Sequence, residues 1–418
     1  MMFLPKRLPR FSKRKAQVAM DFFKHGNRQL CKNVFASSGS LQSFNGLERQ
    51  FEQRQDVVEF VPFLGGVVYF NTEGKVCYQN GERLVVLVQN TSKCTLYVCK
   101  RSNRCFVSFD LGTYLFNGTN NLLATDLHFV AFQNFAERVF AVTGDNVLYF
   151  SAVNSPTVWT VEGGGGNVTL DGTVCSLAVC NNKLYAIGQN VYVLSTDDSL
   201  QNWKIKKTAQ CFNLQGKSVC TVNDCVVYAS HNLFLLKNGI VAKMLPFEGK
   251  FSFQNSVATA YGKWYVATCQ NVKTGTPSLL FVDVAKGDYW QMDVPASKVF
   301  AHQDTLFVVS QNQVYSLSAP QNLSTWVSNG VDFGDASQSK CLQSVSIKTN
   351  HPIVLRVVAD DCTRDYNVPS GNKAQTFPIR GVAKSFVFCL ISNGQTDVES
   401  LAFSAVVATP REVTYGNQ

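Results

Sequence analysis

The residue types that most often do chemistry in enzymes are few and scattered in this sequence. None of its five histidines has the His-Glu-x-x-His spacing that holds a catalytic zinc. No Gly-x-Ser-x-Gly turn supports a serine hydrolase, although a Ser-His-Asp or Cys-His site built from distant residues stays open. We expect exposed or structurally hydrogen-bonded histidines at His25, His128, His231, His302 and His351. We expect no enzymatic activity, no metal and no cofactor.

A run of four glycines at residues 163–166 invites comparison with a phosphate-binding loop. A Walker loop also requires a Lys-Ser or Lys-Thr pair at its end, and this run has neither. No helical pattern follows it, so no helix N-terminus would face a phosphate. The run is predicted to be a loop between strands.

The fourteen cysteines show neither Cys-x-x-Cys pairs nor Cys/His clusters, so their spacing argues against zinc. Cys99, Cys220 and Cys225 lie in or beside apolar, strand-like runs, where a thiol packs as a small hydrophobic group. We expect reduced, buried thiols, with disulfides as the alternative.

Positive charge is concentrated at the start of the chain. The net charge is +9, and residues 1–32 carry nine basic residues against one acid, Asp21. The basic residues of this predicted arm are Lys6, Arg7, Arg10, Lys13, Arg14, Lys15, Lys24, Arg28 and Lys32. Aromatic and leucine residues alternate with them, which favours docking on a protein or another subunit, with salt-sensitive contact to phosphates and a solvated tail as alternatives.

No apolar run in the arm is long enough for a signal peptide. The longest apolar stretch, residues 60–70, is too short to span a bilayer. We expect a soluble chain that is made in the cytoplasm and has no membrane anchor.

The elements that would position any site are predicted from an internal repeat. An apolar strand with a central aromatic recurs every 37 to 45 residues, often followed by a polar turn and a second apolar strand. The central aromatics are Tyr97, Phe140, Tyr185, Tyr228, Tyr265 and Phe307. Such units are typical of β-propeller blades, and a further hairpin at residues 67–78 precedes them. The pattern allows five to seven blades, and we expect about six.

The repeat fades after Trp326, where longer alternating strands begin. This change predicts an all-β chain in which a small antiparallel β-sandwich follows the propeller. The expected boundaries are an arm and lead-in at 1–60, a propeller at 61–329 and a sandwich at 330–418. Alternatively, part of the C-terminal segment completes the propeller ring by pairing with its first strand.

One segment has a local likeness to an enzyme family. Ser195-Thr-Asp-Asp-Ser-Leu-Gln-Asn-Trp203 loosely resembles the Asp-box of sialidase-type propellers. That box is a structural turn, whereas a retaining glycosidase needs paired acids or a tyrosine nucleophile with its acid. A sialidase-like glycoside hydrolase is therefore kept only as an alternative.

A broader resemblance covers about residues 130 to 410. The clearest part is Arg138-Val-Phe-Ala-Val followed by Val147-Leu-Tyr-Phe-Ser-Ala-Val-Asn-Ser-Pro-Thr-Val-Trp159, and Asp171-Gly-Thr-Val-Cys-Ser-Leu-Ala-Val continues it. Further parts are Leu184-Tyr-Ala-Ile, Val191-Tyr-Val-Leu, Val331-Asp-Phe-Gly through Lys340, Arg380-Gly and Val398-Glu-Ser-Leu. Together these segments are similar to the tail nozzle or hub proteins of short-tailed bacteriophages, including the packaged-DNA stabilisation type.

The resemblance implies a structural virion protein of the phage tail, in a homo-oligomeric ring that is commonly hexameric and forms part of the DNA-ejection conduit. Its expected neighbours are tail proteins on the adaptor or portal side and on the fibre or tip side, with non-specific contact to transiting DNA. A glycan- or receptor-binding propeller at the tail tip is the other alternative.

Overall fold

The computed structural model describes residues 28–37, 40–44, 46–50, 56–99, 101–196, 203–211, 214–244, 247, 249–302, 304–319, 323–333, 337–360 and 362–407. In this part the chain forms 39 β-strands and one short 3-10 helix, Gly216–Ser218. No helix within these ranges has the length and apolar character needed to cross a bilayer. The described chain is thus all-β, as predicted.

Four short strands lie in the region expected to be arm and lead-in. They are β1 (Arg28–Lys32), β2 (Val34–Ser37), β3 (Ser40–Ser43) and β4 (Gly46–Arg49). Their partners lie far along the chain, since Cys31 pairs with Trp326 and Leu41 with Val398. Pairing over such distances leaves no local signal in the sequence, which is why the pattern did not predict these strands.

The propeller has seven blades in the described chain, and each is built on four consecutive strands except the last. Blades 1 to 3 contain β5 (Val57–Phe63), β6 (Gly66–Asn71), β7 (Val76–Asn80), β8 (Arg83–Val88); β9 (Cys94–Cys99), β10 (Arg104–Phe109), β11 (Gly112–Phe116), β12 (Asn121–Thr125); and β13 (Ala131–Phe135), β14 (Arg138–Val142), β15 (Val147–Phe150), β16 (Gly166–Thr169). Blades 4 and 5 contain β17 (Val174–Cys180), β18 (Lys183–Gly188), β19 (Asn190–Thr196), β20 (Trp203–Gln210); and β21 (Cys220–Val222), β22 (Cys225–Ala229), β23 (Leu233–Lys237), β24 (Ile240–Lys243).

Blade 6 contains β26 (Ala258–Tyr261), β27 (Trp264–Asn271), β28 (Pro277–Asp283) and β29 (Asp288–Met292), and the two-residue β25 (Phe251–Ser252) also pairs with β27. Blade 7 combines β30 (Ala296–His302), β31 (Thr305–Ser310) and β32 (Gln313–Ala319) with β4. The described chain therefore has one blade more than the six expected, within the predicted range.

The ring closes through its first strands and through the N-terminal strand β4. The first strands of successive blades contact one another, and β30 of blade 7 contacts β5 of blade 1. On blade 7, Arg49 Nη2 donates to Gln313 Oε1 at 2.8 Å, and the backbone N–H of Gln50 donates to the carbonyl of Val314 at 3.0 Å. The fourth strand of the last blade thus comes from the N-terminal side, and not from the C-terminal segment that the sequence left as an alternative. This radial arrangement leaves only short sheet edges on each blade.

The extra blade is the one that contains the hairpin ahead of the series, and one member of the series itself is misaligned. Tyr97 lies on β9, the first strand of blade 2, whereas the other central aromatics lie on second strands. The second-strand aromatic of blade 2 is Phe106, which pairs directly with Tyr97. The hairpin predicted ahead of the series supplies Tyr69 on β6, so it belongs to a complete first blade.

The hydrophobic core lies between neighbouring blades. Among the described residues, six buried clusters each join two neighbours: blades 1 and 2, 2 and 3, 3 and 4, 4 and 5, 5 and 6, and 7 and 1. Second strands are buried on both faces for this reason, and Cys225–Ala229 is buried at every position. This explains their continuous apolar sequence. A strand with one face exposed to solvent would instead alternate apolar and polar residues.

The remaining unit is the β-sandwich. Its later strands are β33 (Ser324–Ser328), β34 (Lys340–Thr349), β35 (Ile353–Ala359), β36 (Cys362–Val368), β37 (Gln375–Ala383), β38 (Phe386–Ser392) and β39 (Asp397–Val407). One sheet has the order β2-β3-β39-β34-β37, and the other contains β1-β33-β38-β35-β36. Alternate residues of β35 and β38 are buried, and Phe388 meets Phe403 of the facing sheet at a centroid distance of 4.2 Å. The predicted antiparallel sandwich is confirmed.

The unit boundaries differ from those expected. One compact unit comprises residues 48–289 and 293–317, and the other comprises 1–47, 290–292 and 318–418. The sandwich therefore draws strands from both ends of the chain. Composition along the chain groups each segment with its neighbours in sequence. It therefore does not predict a unit that contains strands from both ends of the chain.

Candidate functional site

Most of the predicted basic arm lies outside the described residues. This holds for Lys6, Arg7, Arg10, Lys13, Arg14, Lys15 and Lys24. The other two, Arg28 and Lys32, belong to β1, where Arg28 pairs with Ser328 and Lys32 with Thr325. These two are part of the sandwich, and the contact role of the arm stays a prediction.

The histidines that the structure describes lie on separate elements. His128 Nδ1 is 3.3 Å from Ser108 Oγ, and burial together with nearby Lys93 lowers the pKa of this histidine. His231 Nδ1 is 3.3 Å from Ser230 Oγ. Within the described ranges, no group of three or more His, Cys, Asp or Glu residues is arranged to hold a metal ion.

Thirteen cysteines are described, none of them in a disulfide, and eight are buried. Burial raises the pKa of the Cys175 thiol to about 11 and raises that of Cys105 further. These thiols are therefore protonated at neutral pH and pack as small apolar groups.

A cavity of about 360 Å³ lies between blades 2 and 3, and we call it the blade 2–3 cleft. Three turns form its walls: the one that follows Cys99, the β13–β14 hairpin turn around Glu137, and the connection after β15 at residues 151–156. Two of these turns join a first strand to a second strand, and the third leads from the third strand toward the fourth. All three therefore lie on the same face of the propeller.

Arg138 forms the floor of the cleft. Its Nη1 donates to the carbonyls of Ser151 at 2.8 Å and Gly164 at 2.5 Å, and its guanidinium lies 5.3 Å from the centre of the Phe150 ring. Burial lowers the pKa of this guanidinium, which nevertheless stays charged at neutral pH. The glycine run thus supplies a carbonyl for an arginine and does not form a phosphate loop.

An ion pair closes one side of the cleft. Arg101 Nη2 lies 3.1 Å from Glu137 Oε1, and Asn154 Nδ2 donates to Glu137 Oε2 at 3.3 Å. The bond from Arg101 lowers the pKa of Glu137. Glu137 and Asn154 both have positive φ, of 62° and 56°, as is common for residues in tight turns.

Two buried polar atoms of the cleft have no hydrogen-bond partner among the residues that the structure describes. They are Ser102 Oγ and Arg138 Nε. Both carry a hydrogen that can be donated, and Nε can only donate. Buried polar groups are normally satisfied, so each of these two atoms carries a local energetic cost.

The connection after β15 is held by its own side chains. Ser151 Oγ accepts from the backbone N–H of Val139 at 2.9 Å, and Ala152 N–H donates to the carbonyl of Val158 at 2.7 Å. The Trp159 ring packs on Phe129 at 5.0 Å between centroids. A Cβ on Gly165 would come within 2.8 Å of the Trp159 backbone, so glycine permits this close approach.

A second charged group lies at the centre of the ring. Lys217, just before blade 5, donates to Glu59 on the first strand of blade 1. Because blades 6 and 7 separate these two blades, the ion pair spans the ring. Burial and the charge of Lys217 lower the pKa of nearby Lys298 on β30, while Glu59 opposes the shift. The ammonium of Lys298 has no hydrogen bond or ion pair to any described residue.

Sequence reasoning missed both charged groups. Arg138 opens the second strand of its blade, a position that Lys183 and Lys263 share in other blades, and this made it look like an ordinary exposed cation. The sequence signal for the cleft is the long connection between β15 and β16, because its turn at residues 151–156 forms one wall of the cleft.

Neither a protein-family model nor a curated protein sequence matches the chain. Solved structures do resemble it. They include the computationally designed Ika8 protein, with a TM-score of 0.45, 15% identity, and coverage of 70% of this chain and 96% of that one. YCF48 bound to D1 peptide has a TM-score of 0.45 and 10% identity, with coverage of 68% and 97%. BamB from Moraxella catarrhalis has a TM-score of 0.38 and 11% identity, with coverage of 66% and 96%.

Proposed function

We propose that this chain is a structural subunit of a bacteriophage tail, in a nozzle or hub ring that forms part of the DNA-ejection conduit. In this role it has no catalytic activity. It is made in the host cytoplasm and resides in the virion, where it binds further copies of itself and neighbouring tail proteins.

The observation that carries the proposal is a set of exposed apolar side chains on blades 1 and 2, which we call the rim patch. Its members are Leu64, Leu84, Val86, Leu122 and Leu123. Leu84 and Leu122, on the outermost strands of the two blades, are 55% and 59% exposed. Several exposed apolar side chains on two neighbouring blades are a feature that a protein interface would cover.

Leu64 connects the two halves of the rim patch. Its carbonyl accepts from Asn80 Nδ2, just before β8, at 3.3 Å. Its side chain reaches the turn that leads into β12, since a Cβ on Gly118 would lie 2.8 Å from Leu64 Cδ1. Leu64 therefore lies against residues that precede both outermost strands.

The proposed occupant of the rim patch is a second copy of the chain. A closed ring of identical subunits needs a heterologous contact, in which one surface of each copy meets a different surface of the next. The outermost strands β8 and β12 each pair on only one side in the described chain, which leaves backbone groups free beside the leucines.

The segments that resemble phage tail proteins fit a structural role. Residues 151–159 tie blade 3 together, as described above. Val331 forms a bridge with Phe386 in the sandwich, and Val398 pairs with Leu41. These residues support the fold, as expected for a rigid virion component.

Sedimentation velocity and electron microscopy of the purified full-length chain test the ring. We expect a closed ring for the native protein and a monomer for Leu122→Lys, because a charge at a buried contact is costly. Val382→Lys is the matched control, since Val382 is 56% exposed on β37 of the sandwich. A native protein that stays monomeric, or a ring that Leu122→Lys leaves intact, contradicts the assignment of the rim patch.

A further inference from the structure

We propose that the centre of the propeller binds a small tetrahedral oxyanion, such as inorganic phosphate, between the ammonium groups of Lys217 and Lys298. Both lysines and their acidic neighbour Glu59 belong to one compact unit of the described chain. This site is independent of the tail role and is distinct from the rim patch and from the blade 2–3 cleft.

Three charged side chains from different parts of the ring come together at this centre. Glu59 and Lys298 hold equivalent places on neighbouring first strands. Each follows a register shift in the pairing with its second strand, the one after Val57 and the other after Ala296. Strands β5 and β30 contact each other, and Lys217 reaches Glu59 from the 3-10 helix before blade 5. The charges of Lys217 and Glu59 both affect the pKa of Lys298, so its ammonium lies within electrostatic reach of the ion pair.

The two ammonium groups are accessible to a small ion. The side chain of Lys217 is 46% exposed, whereas that of Glu59 is 19% exposed. Lys217 is therefore more open to an incoming anion than the acid that it binds. Lys298 is half-buried, and its ammonium is not among the fully enclosed, unpartnered polar atoms of the described chain.

The cluster has more hydrogen-bond donors than its own acid uses. A lysine ammonium carries three N–H donors and no acceptor. Lys217 uses one of them on Glu59, and Lys298 uses none on any described residue. Two donors of Lys217 and all three of Lys298 thus remain for a ligand. Two cations against one acid also leave an excess of positive charge, which an anion would balance.

The arrangement favours a tetrahedral ion over a carboxylate or a polymer. One lysine lies on blade 7 and the other just before blade 5, with blade 6 between them, so the ligand must present oxygens in divergent directions. The four oxygens of phosphate do so, whereas the two of a carboxylate lie on one side of its carbon. Lysine binds phosphate as a point charge. The ion pair between Lys217 and Glu59 extends across the ring and obstructs the passage of a nucleic acid strand along the axis.

Isothermal titration calorimetry of the full-length chain with sodium phosphate tests the site, with sodium acetate as the comparison and the ionic strength held constant. We expect phosphate to bind at least about tenfold more tightly than acetate. Lys298→Met should weaken phosphate binding at least about tenfold, because it removes one of the two cations. Lys183→Met is the matched control, since it removes an exposed lysine from blade 4 and should change nothing.

Glu59→Gln should change the affinity in the opposite direction. Glutamine keeps an oxygen that accepts from Lys217 but removes the negative charge beside the site. Phosphate should therefore bind severalfold more tightly, an effect that simple damage to the fold would not produce. Far-UV circular dichroism of each variant verifies that the propeller remains folded.

Each contrary outcome overturns the proposal. Absence of phosphate binding by the native chain would leave the centre without this function. Equal affinity for acetate would show that a tetrahedral ion is not recognised, and unchanged phosphate binding by Lys298→Met would place the ion elsewhere. Loss of binding in a folded Glu59→Gln variant would show that the two cations do not form the site.

Discussion

Single residues at the centre of the propeller carry charges that the fold only partly compensates. Glu59 has one bonded cation, Lys217, while the ammonium of nearby Lys298 has no hydrogen bond or ion pair to any described residue. A partly buried cation without a partner is destabilising, and its lowered pKa expresses that cost. The ring therefore tolerates a local loss of folding stability where the first strands of several blades lie close together.

This penalty gives a pH dependence with a definite sign. The pKa of Lys298 is lower in the folded chain than its ordinary value of 10.5, so the unfolded chain binds more protons between the two values. Stability should therefore rise with pH in the window that ends near 10.5. Lys298→Met should remove this rise and stabilise the protein at neutral pH by about 1 kcal/mol.

Urea unfolding at neutral pH and at about pH 9.5 measures this difference. Lys183→Met serves as the control, because Lys183 is exposed and should give no change. If Lys298→Met lowers stability at neutral pH, the lysine makes a favourable interaction in solution and the predicted penalty is wrong.

At the scale of elements, the sequence predicts pairing between strands that are close along the chain and does not reveal pairing between strands that are far apart in it. Hairpins such as β22–β23 are visible because a continuous apolar strand, a polar turn and a second apolar strand follow one another. Ring closure is not visible, because β4 joins a blade whose other strands lie more than 240 residues further along the chain. The cleft is hidden for the same reason, since Arg101 and Glu137 meet from two different blades.

The N-terminal strands allow a sharp truncation experiment. Deletion of residues 1–27 should leave both units folded, because β1 to β4 all remain. We expect it to weaken ring assembly, since it removes seven of the nine basic residues of the predicted arm. Deletion of residues 1–50 should destabilise the propeller, because blade 7 loses the bonds from Arg49 and Gln50.

Thermal unfolding and limited proteolysis compare the two truncated chains, and sedimentation velocity reports their assembly. If the chain without residues 1–50 unfolds at the same temperature as the native chain, β4 does not stabilise the propeller. If the shorter deletion assembles as the native chain does, the basic arm has no part in subunit contact.

At the scale of the whole molecule, the described chain combines a seven-bladed propeller, a sandwich with strands from both N-terminal and C-terminal segments, and several exposed leucines. The propeller fold by itself is compatible with many functions. The assignment to a tail ring therefore depends on the rim patch together with the resemblance of the blade 3, blade 4 and sandwich segments to tail proteins.

The most direct test of the proposed tail role is to look for the protein in purified phage particles, by immunogold electron microscopy with antibodies against the purified chain. The account predicts label at the tail and a ring of identical copies in averaged images of that region. A protein that is absent from the particles and remains a monomer in the lysate of infected cells would contradict it.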